Sequence, residues 1–257
     1  MKFSISYIRE DNISKSKSVS VGWLYNDEKS SIVYFPPEKL KPKKLNKEHS
    51  KSASRCPAVI GLESRYVQIK CPFDIHIAFE RDKNGKPALR NCAGTKSSIR
   101  PGKLNQLLTI TEENEWRYDN CPIIQLQLPY VFIADEPVYI SQIPPIFHYQ
   151  ERDPMPGTIF GGRFPIDIWP RPLMWAFEWH NLEKELILKR GQPLFYCQFE
   201  FDSPERNFEL VEAQRTNELN DYLDKISAAV NYVDQTFSLF KQAKDIRPTK
   251  LLIKKEQ

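Results

Sequence analysis

Glycine is scarce in this 257-residue chain, which has 9 glycines against 20 prolines. Enzymes that bind nucleotides through a Rossmann or P-loop turn place glycines where the backbone must approach phosphate. Neither G-x-G-x-x-G nor G-x-x-x-x-G-K-[ST] occurs in the sequence, and the G-x-S-x-G turn that presents a nucleophilic serine is also missing. The sequence therefore excludes nucleotide binding by those two routes and hydrolysis by that type of serine.

Long hydrophobic runs are missing as well. No stretch approaches the roughly 18 apolar residues of a membrane-spanning helix, and residues 1–10 lack the sustained apolar segment of a secretory signal. The five cysteines are widely scattered and include no C-x-x-C spacing, which argues against a zinc ribbon or a disulfide framework. We therefore expect a cytoplasmic protein with reduced thiols and no contact with a membrane.

Charge of one sign is not in large excess, because 37 basic residues face 33 acidic ones. Part of the excess lies between Lys39 and Lys51, in a segment that is almost free of apolar residues. Such a run can contact phosphates or an acidic partner, but most charge runs are solvated chain. We interpret residues 38–55 as an exposed basic loop, and we do not expect nucleic-acid binding.

Aromatic and branched residues are frequent in the sequence, and these residue types favour strands. Short segments rich in them recur every 8–12 residues, separated by proline and polar turns, most densely over residues 121–201. This spacing predicts a mainly β domain over residues 1–202, an antiparallel sandwich or jelly roll. Helical patterns of good length, which an α/β fold needs, are not found between the predicted strands.

The C-terminal part, residues 203–257, has a different pattern. Residues 205–245 contain neither glycine nor proline and carry apolar residues at steps of three and four, which predicts a long amphipathic helix. Its length of roughly 50 Å favours a break near residues 215–220. The apolar stripe docks on the domain's own sheet or binds a partner, which would be a second copy or another protein. The residues assigned to this stripe are Tyr222, Ile226, Val233, Phe237 and Phe240.

Two short patterns are candidates for a metal site. Asp74 and His76, and likewise Glu178 and His180, stand two residues apart in predicted strands, so each pair points to one face. Two histidines and a carboxylate hold non-haem iron in jelly-roll enzymes. The alternative is that these are half-buried polar residues paired with their neighbours.

The segment from Trp169 to His180 is the most unusual of the chain, because it holds three of the five tryptophans. Trp169, Arg171, Trp175 and Trp179 would together offer rings and a guanidinium on which a sugar or a base could stack. The alternative is a core strand, because large aromatic residues at a period of two are usually buried.

Several short motifs between residues 65 and 200 resemble the layout of a known family. They are Cys71-Pro-Phe73, Pro122-Ile-Ile-Gln125, Leu128-Pro-Tyr130, Gly157-Thr-Ile-Phe160 and Lys189-Arg-Gly-Gln-Pro-Leu194. The family is an uncharacterised one of bacteria and tailed phages, known only as a domain of unknown function. The resemblance implies no known activity.

Taken together, these features favour a binding, interaction or assembly component that acts without catalysis and without a cofactor. In this interpretation the C-terminal helix contacts the partner. The alternative is a cupin-like or oxygenase-like jelly-roll enzyme that holds iron through Asp74, His76, Glu178 and His180.

Overall fold

The computed structural model describes residues 18–26, 32–40, 56–97, 99–148, 154–202, 206–229 and 236–256. The elements of these residues are, in chain order, β1 (Val19–Tyr25), β2 (Glu38–Lys39), α1 (Pro57–Glu63), β3 (Tyr66–Lys70), β4 (Ile75–Arg81), β5 (Pro87–Asn91), α2 (Pro101–Leu107), β6 (Leu108–Ile110), β7 (Ile123–Ala134), β8 (Tyr139–Ile143), β9 (Gly157–Ile159), β10 (Arg163–Pro165), β11 (Pro172–Trp179), β12 (Leu186–Leu188), β13 (Pro193–Glu200), β14 (Phe208–Glu212), α3 (Asn217–Ala229) and α4 (Thr236–Asp245).

The strands form three sheets, and the prediction of a mainly β, antiparallel fold is confirmed. The largest sheet has the order β14-β1-β7-β11-β9, with β6 also paired to β7. The second has the order β10-β8-β13-β3-β2, and a small third sheet has the order β12-β4-β5. Neighbouring strands are antiparallel except β1 and β14, which are parallel. Phe132 of the first sheet meets Phe199 of the second with ring centroids 5.3 Å apart, so these two sheets face each other across the core as in a sandwich.

Strand β7 is buried on both faces, which explains why residues 123–134 form the most apolar run of the sequence. Tyr130 and Phe132 point into the core between the sheets. Val131 and Ile133 point the other way, into a second apolar cluster with residues of α3 and α4. A strand covered on both faces has a nearly continuous apolar sequence instead of an alternating one.

Proline at position 129 does not interrupt β7, although proline has no N–H to donate to a neighbouring strand. Its missing N–H falls where the neighbouring strands do not need it. Pairing with β1 begins at Tyr130, and the register of β11 shifts between Pro172 and Met174, opposite this point. A strand tolerates proline at such an irregularity because no ladder hydrogen bond is lost.

The C-terminal helices are shorter than predicted and begin later. Residues 208–212 were predicted to be helical, but they form β14, which extends the first sheet beside β1. The first of the two C-terminal helices, α3, begins only at Asn217. Helical structure therefore starts near residues 215–220, where a break within one long helix was expected. Residues 230–235 lie outside the described residues.

Both helices pack on the domain itself. Leu219, Tyr222 and Ile226 of α3 and Ala243 of α4 are buried against the outer face of the first sheet. Of the two alternatives for the apolar stripe, the structure therefore shows docking on the protein's own sheet. No helix within the described ranges has the length and the hydropathy needed to cross a bilayer.

Two segments within residues 1–202, the part predicted to be mainly β, are helical. Residues 58–61 lie in α1, and the segment 99–102 runs into α2. Both helices have seven residues and begin at a proline, which suits the first turn of a helix because its N–H has no intrahelical partner there. Of the predicted basic loop, Glu38–Lys39 form β2, whereas residues 41–55 lie outside the described residues.

Candidate functional site

A cleft opens between the outer face of the first sheet and helix α3. Its volume is about 310 Å³, and its walls include Gln127 of β7, the segment from Trp169 to Met174, and Asp224 and Ser227 of α3. This volume is at the lower end of the range typical of small-molecule sites, about 300–1,000 Å³. The cleft therefore has room for a small ligand, with an aromatic ring, a guanidinium and a carboxylate among its wall residues.

Trp169 is fixed in this cleft by contacts on two sides. Its ring lies edge-on to Phe164 and to Phe240, with centroids 5.8 and 5.4 Å apart. Its backbone N–H donates to the carbonyl of Pro165 at 3.0 Å. The prolines at 170 and 172 hold the backbone on either side extended, because the pyrrolidine ring fixes φ and restricts the preceding residue. These contacts fix the orientation of the Trp169 ring at the wall of the cleft.

Arg171 is the charged group of the cleft. Its guanidinium lies over the Trp169 ring, 4.6 Å from the centroid, and partial burial lowers the pKa of this side chain, which stays protonated at neutral pH. No carboxylate among the described residues forms an ion pair with it. A guanidinium has five N–H donors, so the donors of Arg171 remain able to bind a ligand anion.

The other two tryptophans of the predicted stacking surface lie elsewhere. Trp175 and Trp179 are fully buried in the core between the sheets, where Trp175 stacks on Phe177 with centroids 5.5 Å apart. Trp179 donates its indole N–H to the carbonyl of Asn181 at 2.8 Å. Trp175 and Trp179 therefore belong to a core strand, which was the alternative to a stacking surface. Of the four residues predicted to form that surface, Trp169 and Arg171 are the two that line a cleft.

Glu178 and His180 are neighbours, as their spacing predicted, but their partner is an arginine. Glu178 is completely buried on β11. Its Oε2 accepts a hydrogen bond from Arg117 at 3.1 Å, and His180 Nε2 is 3.9 Å from the same oxygen. Oε1 of Glu178 is buried and has no hydrogen-bond partner among the residues that the structure describes. The arrangement is a buried carboxylate held by one arginine, which no sequence pattern indicated.

His76 has a different set of neighbours. A hydrogen bond of 2.6 Å joins its Nε2 to Glu185 Oε2, and the thiol of Cys92 also interacts with that carboxylate. The hydrogen bonds from His76 and Cys92 lower the pKa of Glu185, whereas partial burial and then Glu185 itself raise the pKa of Cys92. One potential ligand atom from each of these three residues lies within 4.8 Å of the others.

The predicted iron site is therefore not formed as expected. His76 lies on β4 of the third sheet, and Glu178 lies on β11 of the first. Asp74 uses its Oδ1 to accept from the backbone N–H of Arg190 at 2.8 Å. Over the described residues, the group whose ligand atoms converge is His76 with Cys92 and Glu185, and it includes none of the other three predicted ligands.

The residues predicted to bind a partner through the helix are partly used within the domain. Tyr222 and Ile226 are both 2% exposed. The Tyr222 hydroxyl lies 2.5 Å from the Ile168 carbonyl and 3.0 Å from that of Ala243, and burial raises its pKa to about 12. Phe240 packs on Trp169. Val233 and the side chain of Phe237 lie outside the described residues.

Comparison with known proteins adds no family to this picture. No family model matches the sequence, and searches of curated proteins and of solved structures gave no match. The resemblance to an uncharacterised family of bacteria and tailed phages therefore stays a prediction.

Proposed function

We propose that the protein acts by binding a small ligand in the cleft between α3 and the first sheet, without catalysing a reaction on it. One observation carries the proposal: the Arg171 guanidinium lies over a rigidly held Trp169 ring, in a cleft, with no carboxylate partner in the described part of the chain. A cation in that position attracts an anionic group, and the adjacent ring and prolines offer apolar surface to the rest of the ligand.

The walls of the cleft indicate the class of ligand. Arg171 favours a carboxylate, sulfonate or phosphate at one end. Asp224 and Ser227 belong to α3, where a carboxylate and a hydroxyl can accept hydrogen bonds from a donor group of the ligand. A small molecule with a flat apolar body, an anionic group and a separate amine or hydroxyl group fits this set.

This proposal gives the C-terminal helix a role in binding, since α3 contributes Leu223, Asp224, Ile226 and Ser227 to the cleft. Binding of a second copy or of another protein through the same helix is the other form of an interaction role. A cytoplasmic location is part of the proposal, and the five unpaired cysteines support it.

Titration with naphthalene-2-sulfonate tests the proposal, because this probe joins a flat apolar body to an anion. Binding is followed by calorimetry and by the NMR signal of the Trp169 indole N–H, assigned with Trp169→Phe. We expect Arg171→Gln to weaken binding about tenfold or more, because a charge-assisted hydrogen bond is lost. Naphthalene, which lacks the anion, should bind much more weakly than the sulfonate.

Arg163→Gln is the matched control. Arg163 also lies over an aromatic ring, that of Tyr139, at 3.9 Å, but it already pairs with Glu200 and is not among the described residues that line the cleft. We expect the control to bind the probe as the wild type does. Equal affinity in the wild type and in Arg171→Gln would refute the proposed site. Light scattering with and without the probe shows whether binding is accompanied by self-association.

A further inference from the structure

His76, Cys92 and Glu185 come together on one face of the third sheet. His76 is on the central strand β4, Cys92 directly follows β5, and Glu185 directly precedes β12. The side chains of His76 and Glu185 are 29% and 43% exposed, so the group is open to solvent on one side. His76 and Cys92 are 16 residues apart on one hairpin, whereas Glu185 lies 93 residues beyond Cys92 and is brought to them by the pairing of β12 with β4.

The strand registers hold the backbone of this group in place. The β4–β5 ladder pairs Ile77 with Asn91, and it continues with a hydrogen bond from Cys92 N–H to the His76 carbonyl at 2.8 Å. On the other side His76 pairs with Ile187, which places Glu185 diagonally across the ladder. Side chains that are directly opposite or diagonal on one face of a sheet lie within contact distance. The group is therefore anchored on three adjacent strands.

The donor set has a specific chemistry. An imidazole nitrogen, a thiolate sulfur and a carboxylate oxygen are the three ligand types of protein zinc sites, whereas Mg²⁺ and Ca²⁺ prefer oxygen ligands alone. Zinc bonds of about 2.0–2.3 Å place tetrahedral ligand atoms roughly 3 to 4 Å apart. The present atoms lie within 4.8 Å of one another, so small rotations of partly exposed side chains suffice to close the site.

The surrounding charges permit a cation here. Arg90 is a basic group that interacts electrostatically with Cys92 and Glu185, and it pairs with Glu80 at 3.3 Å. Zinc would replace the hydrogen bonds within the group by metal bonds and would displace the proton of the Cys92 thiol, since only the thiolate is a ligand.

We propose that His76, Cys92 and Glu185 bind one Zn²⁺ ion per chain, with solvent in the fourth coordination position. Three protein ligands with one open position are typical of zinc sites that exchange a ligand. This site differs in position and in chemistry from the cleft at Trp169 and Arg171, and either proposal can fail without the other.

Cobalt substitution tests the site. The 257-residue chain is freed of metal with a chelator, kept reduced, and titrated with Co²⁺, whose bond to a thiolate gives a charge-transfer band in the near ultraviolet. We expect one equivalent to bind with that band, and Zn²⁺ to displace it. Cys92→Ser should abolish the band, and Glu185→Gln and His76→Gln should each weaken binding by at least about tenfold.

Two matched controls keep the test specific. Cys121→Ser changes another partly buried thiol, and His180→Asn changes the histidine that the sequence had placed in a metal site with His76. Both should bind Co²⁺ as the wild type does. Zn²⁺ should also raise the midpoint of thermal unfolding of the wild type and of both controls, but not that of Cys92→Ser.

Three outcomes would overturn the assignment: no thiolate band in the wild type, a band that persists in Cys92→Ser, or equal losses in Cys121→Ser and Cys92→Ser. If Cys92→Ser does not fold, Glu185→Gln decides the question, because its side chain is 43% exposed and the change is nearly isosteric. Unchanged Co²⁺ affinity in that variant would equally contradict the site.

Discussion

Trp169 meets Phe240 edge-on, with their ring centroids 5.4 Å apart. Trp169 stands just before β11, and Phe240 belongs to α4, so this contact joins the last helix to the wall of the cleft. The C-terminal helices are therefore part of the structure that forms the cleft. Changes in their packing should alter both the stability of the domain and the affinity of the cleft for a ligand.

Ile226→Ala should show that α3 is part of the domain's own core. Ile226 is 2% exposed and belongs to the cluster with Val131 and Ile133 of β7. Removing a buried isoleucine side chain typically costs about 2–5 kcal/mol. Ile246→Ala is the matched control, since Ile246 follows α4 and is 48% exposed, and surface changes usually cost no more than about 0.5 kcal/mol. Urea unfolding measures both values.

Equal stabilities of the two isoleucine variants would contradict this packing. Light scattering of the same samples separates packing from association. If Ile226→Ala lowers the molar mass in solution while its free energy of unfolding is unchanged, the apolar stripe packs against a second copy of the chain instead.

Gly157→Ala should disrupt the pairing of β9 with β11. A Cβ at this position would overlap the backbone carbonyl of Glu178, which is part of a strand and cannot rotate away. We expect a loss of several kcal/mol, in the upper range of single substitutions. Gly61→Ala is the control, because a Cβ there meets no atom within 4 Å, and alanine in a helix such as α1 stabilises by about 0.5–1 kcal/mol relative to glycine. Thermal unfolding gives opposite signs for the two variants.

The β-rich body could be predicted from the sequence because its signals are local. Period-two alternation and recurrent turns are visible within ten residues. The segment 208–212 could not be assigned in this way. Its sequence, Phe-Glu-Leu-Val-Glu, also fits the stripe of the glycine-free segment that follows, and only its pairing with β1 makes it a strand. That partner lies almost two hundred residues away in the sequence.

Which side chains come together in a cluster depends on the register of the strands and on which sheets face each other. The turn signal at residues 82–85 predicts a hairpin, and its closing hydrogen bond from Asp82 N–H to the Lys86 carbonyl at 2.8 Å places His76 opposite Cys92. That neighbour could therefore have been found by counting back from the turn. The proximity of Glu185 could not be found in this way. Glu185 precedes β12, which pairs with β4 although the two strands are distant in the sequence. The period-two aromatic residues did indicate burial of Trp175, but no local pattern shows that Trp169 faces a cleft.

Arg117→Ala should cost more than its exposure suggests. Arg117 and Arg163 are each 53% exposed at the side chain, but the carboxylate of Glu178 is 1% exposed and that of Glu200 is 42% exposed. Removing Arg117 leaves a buried carboxylate without its charged partner, which costs about 2–4 kcal/mol after allowance for solvent at the arginine. Arg163→Ala should cost about 1 kcal/mol or less.

A double-mutant cycle checks the cause of the Arg117 effect. In a Glu178→Gln background the charge to be compensated is gone, so Arg117→Ala should cost much less than it does in the wild type. Equal costs in both backgrounds would show that the arginine acts through packing on Phe160, whose ring centroid lies 4.8 Å from the guanidinium carbon.

Tyr222 should make the domain sensitive to alkaline pH. Its pKa is raised to about 12 by burial, from an ordinary value of 10.0, so the folded state keeps a proton that the unfolded state loses. The stabilising contribution is complete below pH 10 and is lost as the pH rises from about 10 to about 12. Two pKa units correspond to at most about 2.7 kcal/mol.

Tyr222→Phe isolates this contribution from those of the other tyrosines. We expect its free energy of unfolding to be lower by about 1 kcal/mol at pH 8, because the hydroxyl proton that is shared between the carbonyls of Ile168 and Ala243 is lost. Between pH 10 and pH 12 the free energy of unfolding of Tyr222→Phe should decline less steeply than that of the wild type. Parallel curves for the two proteins would mean that Tyr222 ionises in the folded state as readily as it does in the unfolded state.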